Sequence, residues 1–469
     1  MDFAPAIDLS GKCVTVMGLG RFGGGMAVVR FLASRGARVT VTDLLNEDEL
    51  AESLGGVADC PVEAYHLGGH VEDDFIDADL VVVNPAVPPT NPFLERAREY
   101  GVPLTSEMSL FWQFHAGRTL AVTGSNGKST TTAMTHAILQ AAGLPCRLGG
   151  NIGRSLLPEV DKIAAHEWAV LELSSFQLED LDRLPASPNV AVVTNFSPNH
   201  LDWHGCLGAY RRAKQTILRW QTPDDAAVLN QDDADVREWP TFGQTLWFGS
   251  HDAGRDGVFE SGDEHVLRLE GRVEKFPLGD WVPLPGRHNL QNAMAAACAA
   301  VAAGADLDAV RRGLESYRAL PHRLECVGQI AGRTFYNDSL ATTPESTMVA
   351  LEAFSQPIVL LVGGYDKQID LAPLADAVGR RVKAAALMGQ TAEALGCLIE
   401  TIPDSERLAM QECGTFDEAF HWAVDQSDPG DVVLLSPGCA SYDWFHNYAE
   451  RGRRFVDLVQ AWRPAMAEG

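Results

Sequence analysis

With 469 residues, 46% hydrophobic and 21% charged, the chain is too long for one ordinary core, and its composition is that of a globular protein, so two to four domains are expected. A net charge of −26 argues against a sequence-blind nucleic-acid binder and against attachment to an anionic membrane, but a small phosphate ligand feels its local pocket more than the distant net charge. Nine scattered cysteines without a Cys-x-x-Cys pair argue against a disulfide scaffold or a zinc cluster and fit a reducing cytoplasm.

The opening stretch MDFAPAIDLSGK lacks a basic-then-apolar leader pattern. Lys12 to Met17 then reads as a strand, followed by Gly18-Leu19-Gly20-Arg21-Phe22-Gly23 and a helix through Arg35. Arg38 to Thr42 reads as a second strand ending in Asp43, 20 residues after Gly23. This is the pattern of a dinucleotide-binding βαβ unit, with a diphosphate over the helix start and the acid on a sugar hydroxyl. Taken alone it suggests an NAD-dependent oxidoreductase, but what it requires is only a diphosphate. A third apolar strand, Leu80 to Val83, leads into Asn84-Pro85-Ala86-Val87-Pro88-Pro89, a loop placed to close over the same ligand.

The middle of the chain carries Gly124-Ser125-Asn126-Gly127-Lys128-Ser129-Thr130, between a buried strand at Thr119 to Thr123 and a helix whose apolar residues run from Ala133 to Ala141. A glycine turn opening a helix aims backbone N–H groups and the positive end of the dipole at one point, an anion site. Lys128 adds a mobile positive charge, and Ser129 or Thr130 a hydroxyl for Mg2+. A lysine followed by four hydroxyls has no evident packing purpose, which sets aside a bare turn without a ligand.

Farther on, Leu148-Gly149-Gly150-Asn151-Ile152-Gly153 reads as a turn whose Asn151 can reach a phosphate or sugar. Trp168 to Leu173 reads as a strand with Glu172 at its end, a natural Mg2+ ligand, and Asn189 to Thr194 as a strand leading to His200. Strand-end groups Lys128, Glu172 and His200 thus converge on one sheet edge. Lys214 follows on a helix, Ala209 to Trp220, and beside metal ions it would have to be neutral or modified. The charged stretch from His251 to Lys275 reads as hairpins or loop. Asn289 and Asn292 lie a turn apart at the start of an alanine-rich helix, whose least polar run, Ala293 to Gly304, is far shorter than the roughly 20 residues that span a membrane.

In the last third, Thr334 to Tyr336, Ile358 to Val362, Ala384 to Met388 and Val432 to Leu435 alternate with helical runs, again a parallel α/β pattern. Strand ends there carry Asn337-Asp338-Ser339, Gly364-Tyr365-Asp366-Lys367 and Ser436 to Ser441. Before them stands Leu320-Pro321-His322-Arg323, whose guanidinium suits a γ-phosphate.

The order GSNGKST (124–130), GGNIG (149–153), ELSSFQLE (172–179), NHLD (199–202), YRRAK (210–214), PGRHNLQN (285–292), PHRLE (321–325), NDS (337–339), GGYDK (363–367) and LLSPGCASYDWF (434–445) resembles the Mur ligase family over most of the chain. The resemblance implies an α/β fold of three domains: a Rossmann-like UDP-sugar domain at 1–106, a central P-loop ATPase domain with a parallel sheet at 107–320, and a Rossmann-like amino-acid-binding domain at 321–469. It implies an ATP-dependent ligase in peptidoglycan synthesis, and hence in cell-wall biogenesis, cell shape and division. The enzyme would add glutamate to a UDP-linked muramoyl-alanine carboxylate through an acyl phosphate.

D-glutamate is the expected amino acid, with an L-glutamate-adding or folylpolyglutamate synthase-like ligase as alternatives. Implied ATP contacts are Gly124 to Thr130, Asn292, Arg323 and Asp338. Two Mg2+ sites are implied, on Ser129 or Thr130 with Glu172, and on His200 with Lys214 as a carbamate. Implied substrate contacts are Gly18, Gly20, Gly23, Asp43, Asn84 and Asn151 for the UDP-sugar, and Thr342, Lys367, Ser441 and Tyr448 for glutamate. The chain departs from the family's common residues at Leu44-Leu45, where a Thr-Arg pair would serve the uracil end, and at Leu340 and His446, where lysine is frequent. A cytoplasmic monomer acting on small molecules, without nucleic acid or membrane insertion, is expected.

Overall fold

The computed structural model describes residues 7–403 and 408–463, so the first six residues of the opening stretch and the ends of the outer domains lie outside the described residues. The chain forms two compact units, Met1–Trp281 with Gln291–Ser316, and Val282–Leu290 with Tyr317–Gly469.

The first unit holds two sheets. Short β-branched runs build the first from β1 (Cys13–Met17), β2 (Arg38–Asp43), β3 (Val62–Leu67), β4 (Leu80–Val83) and β5 (Leu104–Ser106). They are all parallel, in the order β3-β2-β1-β4-β5. Strand order therefore reverses between β1 and β4, and the loops leaving these strands, 18–23 and 84–91, flank the crevice where doubly wound sheets take ligands.

The second sheet contains β6 (Arg118–Thr123), β7 (Cys146–Gly150), β8 (Trp168–Glu172), β9 (Val190–Val193), β10 (Ala226–Asn230), β11 (Gln244–Gly249), β12 (Gly257–Ser261), β13 (Glu264–Leu269) and β14 (Arg272–Phe276). Its order is β14-β13-β12-β11-β10-β9-β6-β8-β7, parallel except for the final hairpins. β6 lies inside, between β9 and β8, and Leu120, Ala121 and Val122 are fully buried. One continuous core runs through both sheets, from Val14, Val16 and Phe31 to Leu156, Leu171 and Val193.

The second unit is built on β15 (Glu325–Ile330), β16 (Arg333–Asn337), β17 (Ile358–Gly363), β18 (Ala384–Met388), β19 (Ala409–Cys413) and β20 (Val432–Leu435), in the order β15-β16-β20-β17-β18-β19. Strand β17 shows why its sequence is an unbroken apolar run: Ile358, Leu360 and Val362 enter one core while Val359 and Leu361 enter the other.

Two expectations change, and the hairpins expected after His251 are present. The stretch 148–153 is not simply a turn, because Gly149 and Gly150 close strand β7 and only the residues beyond them turn. The charged stretch after His251 supplies β12, which pairs parallel to β11, and the hairpins that extend the sheet. Edge strands β15 and β19 are half-exposed, so they lack the continuous apolar run that marks a parallel strand, and β15 is antiparallel to its neighbour. No described helix is long and apolar enough to cross a membrane.

The helix Leu307–Ser316 packs so closely on the helix Lys128–Ala141 that a Cβ on Gly313 would stand 2.5 Å from the Ile138 Cα. Backbone cannot yield there as a side chain can. Gly313→Val is therefore expected to destabilise the first unit by about 2 kcal/mol, read as a lowered unfolding temperature.

Candidate active site

At the end of β1 the chain turns sharply, with Gly18 at φ +93°, and a Cβ there would meet Asn84 Cβ at 2.8 Å. Asn84 Nδ2 donates to the Gly18 carbonyl at 3.2 Å, so the second loop does close on the glycine turn. The helix Gly24–Ser34 starts directly behind Gly23, with its first N–H groups and dipole at the crevice. Gly20 and Gly23 are also left-handed, at φ +62° and +89°. Asp43 has partners within the turn itself. Its Oδ2 accepts from the Gly20 N–H and its Oδ1 from the Leu45 N–H, both at 2.9 Å, and the residue is 6% exposed. Both oxygens therefore help to fix the turn.

The phosphate loop leaves β6 and enters the helix Lys128–Ala141 through Gly127, which is left-handed at φ +80° and so close to Asn292 that a Cβ would lie 2.3 Å from its Oδ1. Residues after β9 pin the loop from the side. Thr194 Oγ1 and Asn195 Nδ2 donate to the Asn126 carbonyl at 2.6 and 3.1 Å, and the Asn126 N–H donates to Asn195 Oδ1 at 2.8 Å.

Ser125 points inward, donating to the Ser197 carbonyl and lying 3.1 Å from the Tyr210 hydroxyl, so only its backbone faces the loop's ligand side. Lys128 Nζ donates to the carbonyls of Gly124 and Ser125 at 3.0 Å each. The hydroxyls that follow do have packing partners: Thr131 donates to Asn292 Oδ1, Thr132 to the Lys128 carbonyl and Thr135 to the Thr131 carbonyl. Of the two hydroxyls offered for Mg2+, Thr130 is 3% exposed and Ser129 is half-buried.

Glu172 ends β8, the neighbour of β6, and is 2% exposed. Its Oε1 accepts from Asn151 Nδ2 at 3.0 Å, while Oε2 is buried without a protein partner. A buried carboxylate oxygen left unpaired is costly unless a ligand satisfies it, and beside a phosphate loop a hard cation fits that vacancy. No group of three or more His, Cys, Asp or Glu among the described residues is arranged to hold a metal. A cation at Glu172 would therefore also draw on a hydroxyl and on oxygens of its phosphate ligand.

Lys214, on the helix Leu207–Arg219, is 1% exposed; its Nζ donates to the Gly124 carbonyl at 2.7 Å and stands 4.8 Å from the centre of the Tyr210 ring. Burial first, then the nearby Lys128 charge, drives its pKa well below the ordinary lysine range, against the pull of Glu172. His200 is exposed at φ +52°, capping the short helix Leu201–His204, with its ring 5.0 Å from Phe176. Sequence reasoning missed Tyr210, which floors Lys214, and His204, which stacks on Phe176 and meets Ser175 Oγ at 3.0 Å. The signal for Tyr210 lay in YRRAK, where only the charged residues drew attention, and His204 stands just beyond NHLD.

In the second unit, Asp338 at the end of β16 is buried, with Oδ1 accepting from the Leu324 N–H at 3.1 Å and Oδ2 from Ser436 Oγ at 2.8 Å. It thereby ties down the loop carrying Arg323, in which His322 and Leu324 have φ +64° and +41°. Burial raises Asp338 to about 7, opposed by these two hydrogen bonds and by the Arg323 charge. Arg451 was not foreseen. It is 2% exposed and donates to the carbonyls of Ser339, Cys439 and Ala440 at 3.0, 3.0 and 3.1 Å, binding two strand-end loops together.

The Ser441 carbonyl accepts from the N–H groups of Trp444 and Phe445, and the Tyr448 carbonyl accepts from Ser339 Oγ at 2.7 Å. Lys367 is exposed, its Nζ 5.8 Å from the centre of the Tyr442 ring, and Thr342 is half-buried just beyond the Asp338 turn. Leu340 donates its N–H to the His322 carbonyl, and His446 pairs with Glu450 at 2.9 Å. Asn289, also in this unit, donates to the Pro285 carbonyl at 2.7 Å and so holds its own helix start.

Fold and loops together define a class: α/β proteins with three sheets, a diphosphate-type turn on the first and a phosphate loop on the second. The Mur ligase MurD-like N-terminal domain matches residues 12–106, the Mur ligase middle domain 122–300 and the Mur ligase glutamate ligase domain 322–439. The chain belongs to the Mur ligase family.

It is 40% identical to the UDP-N-acetylmuramoylalanine–D-glutamate ligase of Acidobacterium capsulatum over 98% of this chain and 99% of that one, and 41% identical to that of Roseiflexus sp. over 97% and 100%. Its fold is similar to that of UDP-N-acetylmuramate-alanine ligase MurC from Thermotoga maritima, at a TM-score of 0.61 and 22% identity over 96% of this chain and 99% of that one. MurF from Acinetobacter baumannii gives 0.59 at 21% identity, covering 95% and 93%.

Asp338 yields a pH test. Its folded value, about 7, lies above the ordinary 3.8, so the unfolded chain releases this proton first and stability falls as pH rises between the two values. Unfolding followed from pH 4 to 7.5 should show that loss in the second unit, and Asp338→Asn should flatten it. An unchanged slope in the variant would assign the loss to other groups.

Proposed function

We propose that the chain is an ATP-dependent ligase that joins D-glutamate to the alanyl carboxylate of UDP-N-acetylmuramoyl-L-alanine, a step in peptidoglycan precursor synthesis. One observation carries the reading: at the carboxyl edge of a single sheet, a phosphate loop lies beside a buried carboxylate with an unpaired oxygen and a buried, depressed lysine. The full-length relatives named for this reaction support the substrate assignment. Residues 1–106 are assigned the UDP-sugar, 107–320 the ATP and 321–469 the amino acid.

In this reading the alanyl carboxylate oxygen attacks the γ-phosphorus of ATP, the bond to the β–γ bridging oxygen breaks, and ADP leaves an acyl phosphate behind. The glutamate amine then attacks the acyl carbon, phosphate departs and the nitrogen gives up a proton. Two anions must meet in the first step, so electrostatics is the main task. Loop N–H groups from Gly124 to Thr130 and the helix dipole receive the phosphates. Lys128 exchanges its loop carbonyls for the β- and γ-oxygens. Asn292, Arg323 and Asp338 complete the nucleotide contacts.

Bound Mg2+, held by Ser129 and Glu172 at one site and by His200 with a carbamylated Lys214 at the other, would neutralise charge on the phosphate oxygens. A neutral amine is what carbamylation by CO2 needs, and the burial of Lys214 favours that form. Lys367, Ser441, Thr342 and the Tyr448 segment receive glutamate. Gly18, Gly20, Gly23, Asn84 and Asn151 receive the diphosphate-linked sugar, with Asp43 fixing the turn.

The test is ADP release with UDP-N-acetylmuramoyl-L-alanine and either D- or L-glutamate. Turnover with D-glutamate is expected. Turnover with L-glutamate alone would correct the amino acid, and none with either would reject the reading. Lys128→Ala should abolish ADP release. Lys214→Ala should lose most activity and regain part of it with added short carboxylic acids; a folded variant that cannot be rescued would count against the carbamate.

A further inference from the structure

After β3 the chain runs through Gly68-Gly69-His70, which folds back across the end of β2. The Gly68 N–H donates to the Leu45 carbonyl at 2.9 Å and the Gly69 N–H to the Asp43 carbonyl at 3.1 Å. This brings the His70 ring to Thr42, whose Oγ1 lies 2.7 Å from Nδ1. Thr42 is fully buried, and its carbonyl accepts from the Gly18 N–H at 2.8 Å, so one residue joins the imidazole to the first glycine of the turn.

On its other side the ring meets Phe75 and Phe93 edge-on, at 5.8 and 5.2 Å between centres. Phe93 belongs to the helix Pro92–Glu99, which follows β4. The ring thus bridges the end of β2 and the helix that follows β4.

In such crevices the acid after the second strand takes a ribose hydroxyl. Here Asp43 is buried and both its oxygens already accept backbone N–H groups, while His70 beside it remains half-exposed. Burial holds the ring's pKa below the ordinary histidine value against the pull of Asp43 and Asp74, the charged groups that face it. The Thr42 hydroxyl reaches both Nδ1, at 2.7 Å, and the Gly69 carbonyl, at 3.4 Å; the tautomer in which it donates to Nδ1 carries the single ring proton on Nε2, a directional donor for a neutral acceptor.

We propose that His70, beside a carboxylate already engaged by the turn, donates a hydrogen bond to a ribose hydroxyl of the nucleotide-linked substrate. The proposal rests on the UDP-linked substrate assigned above and adds the residue that reads its sugar.

The experiment is a cycle of ligand and residue. KM for UDP-N-acetylmuramoyl-L-alanine and for its 2′- and 3′-deoxyribose analogues is measured by ADP release in the wild type, His70→Ala and His70→Gln. His70→Ala should raise KM for the ribose substrate roughly three- to tenfold, the worth of one neutral hydrogen bond, with kcat and the KM values for ATP and glutamate unchanged.

One deoxy analogue should cost the wild type a similar factor and cost His70→Ala nothing further, and His70→Gln should recover part of the loss. An unchanged KM in His70→Ala, or deoxy and residue effects that simply multiply, would overturn the proposal. Calorimetric binding of UDP and its two deoxy forms repeats the cycle without turnover. An inactive wild type then rejects the ligase reading alone, while the binding cycle still decides His70. If His70→Ala fails to fold, the same non-multiplicative comparison is made on His70→Gln.

Discussion

Two lysines share one carbonyl. Lys128 and Lys214 both donate to the oxygen of Gly124, one from the helix the loop opens and one from a helix behind it. The negative end of that peptide dipole faces both ammonium groups, with the Ser125 carbonyl on Lys128 and the Tyr210 ring under Lys214, while Glu172 keeps an oxygen without a partner among the described residues. Burial first, and repulsion from the Lys128 charge second, drive the Lys214 pKa down. In the proposed function a phosphate would approach Lys128 and a cation would satisfy the open oxygen of Glu172. The surrounding pins, Thr194 and Asn195 on the loop and Tyr210 under Lys214, hold these groups in place while they wait.

The same economy appears at the first sheet. A turn that receives a diphosphate must present N–H groups outward, so its own carbonyls and spare donors need internal partners. Asn84 takes the Gly18 carbonyl and Asp43 takes the Gly20 N–H. Once the acid is used in this way, recognition of the sugar passes to the neighbouring segment, and the Gly68-Gly69-His70 crossing brings it there. In the second unit Asp338 and Arg451 perform the corresponding task for the strand-end loops, each buried and each bonded to more than one segment.

Much of this was legible in the chain. Buried parallel strands such as Val190–Val193 or Ala384–Met388 announce themselves as apolar runs, and the glycine turns after β1 and β6 sit where their chemistry requires. What escaped were groups whose role depends on contacts distant in sequence. Arg451 sits in an amphipathic helix beside Arg453 and Arg454 and reads as one more surface cation, yet its partners are 10 or more residues away. Ser125 read as part of the ATP-binding loop, and the hydroxyl row as free of packing partners, because nothing local shows that Tyr210 will meet Ser125 and Asn292 will meet Thr131. Edge strands β15 and β19 escaped because half-exposure erases the pattern that identifies a strand.

The interior position of β6 has a kinetic side. With β8 and β9 bonded to its two edges and its central residues wholly excluded from solvent, its amides can meet water only when the sheet itself opens. Opening of that extent is a cooperative event of the whole first unit, whereas β15 and β19 are bonded on one edge only. In hydrogen exchange the strand that launches the phosphate loop would be among the slowest parts of the molecule. The phosphates are thus received by a fixture whose lifetime is that of the fold.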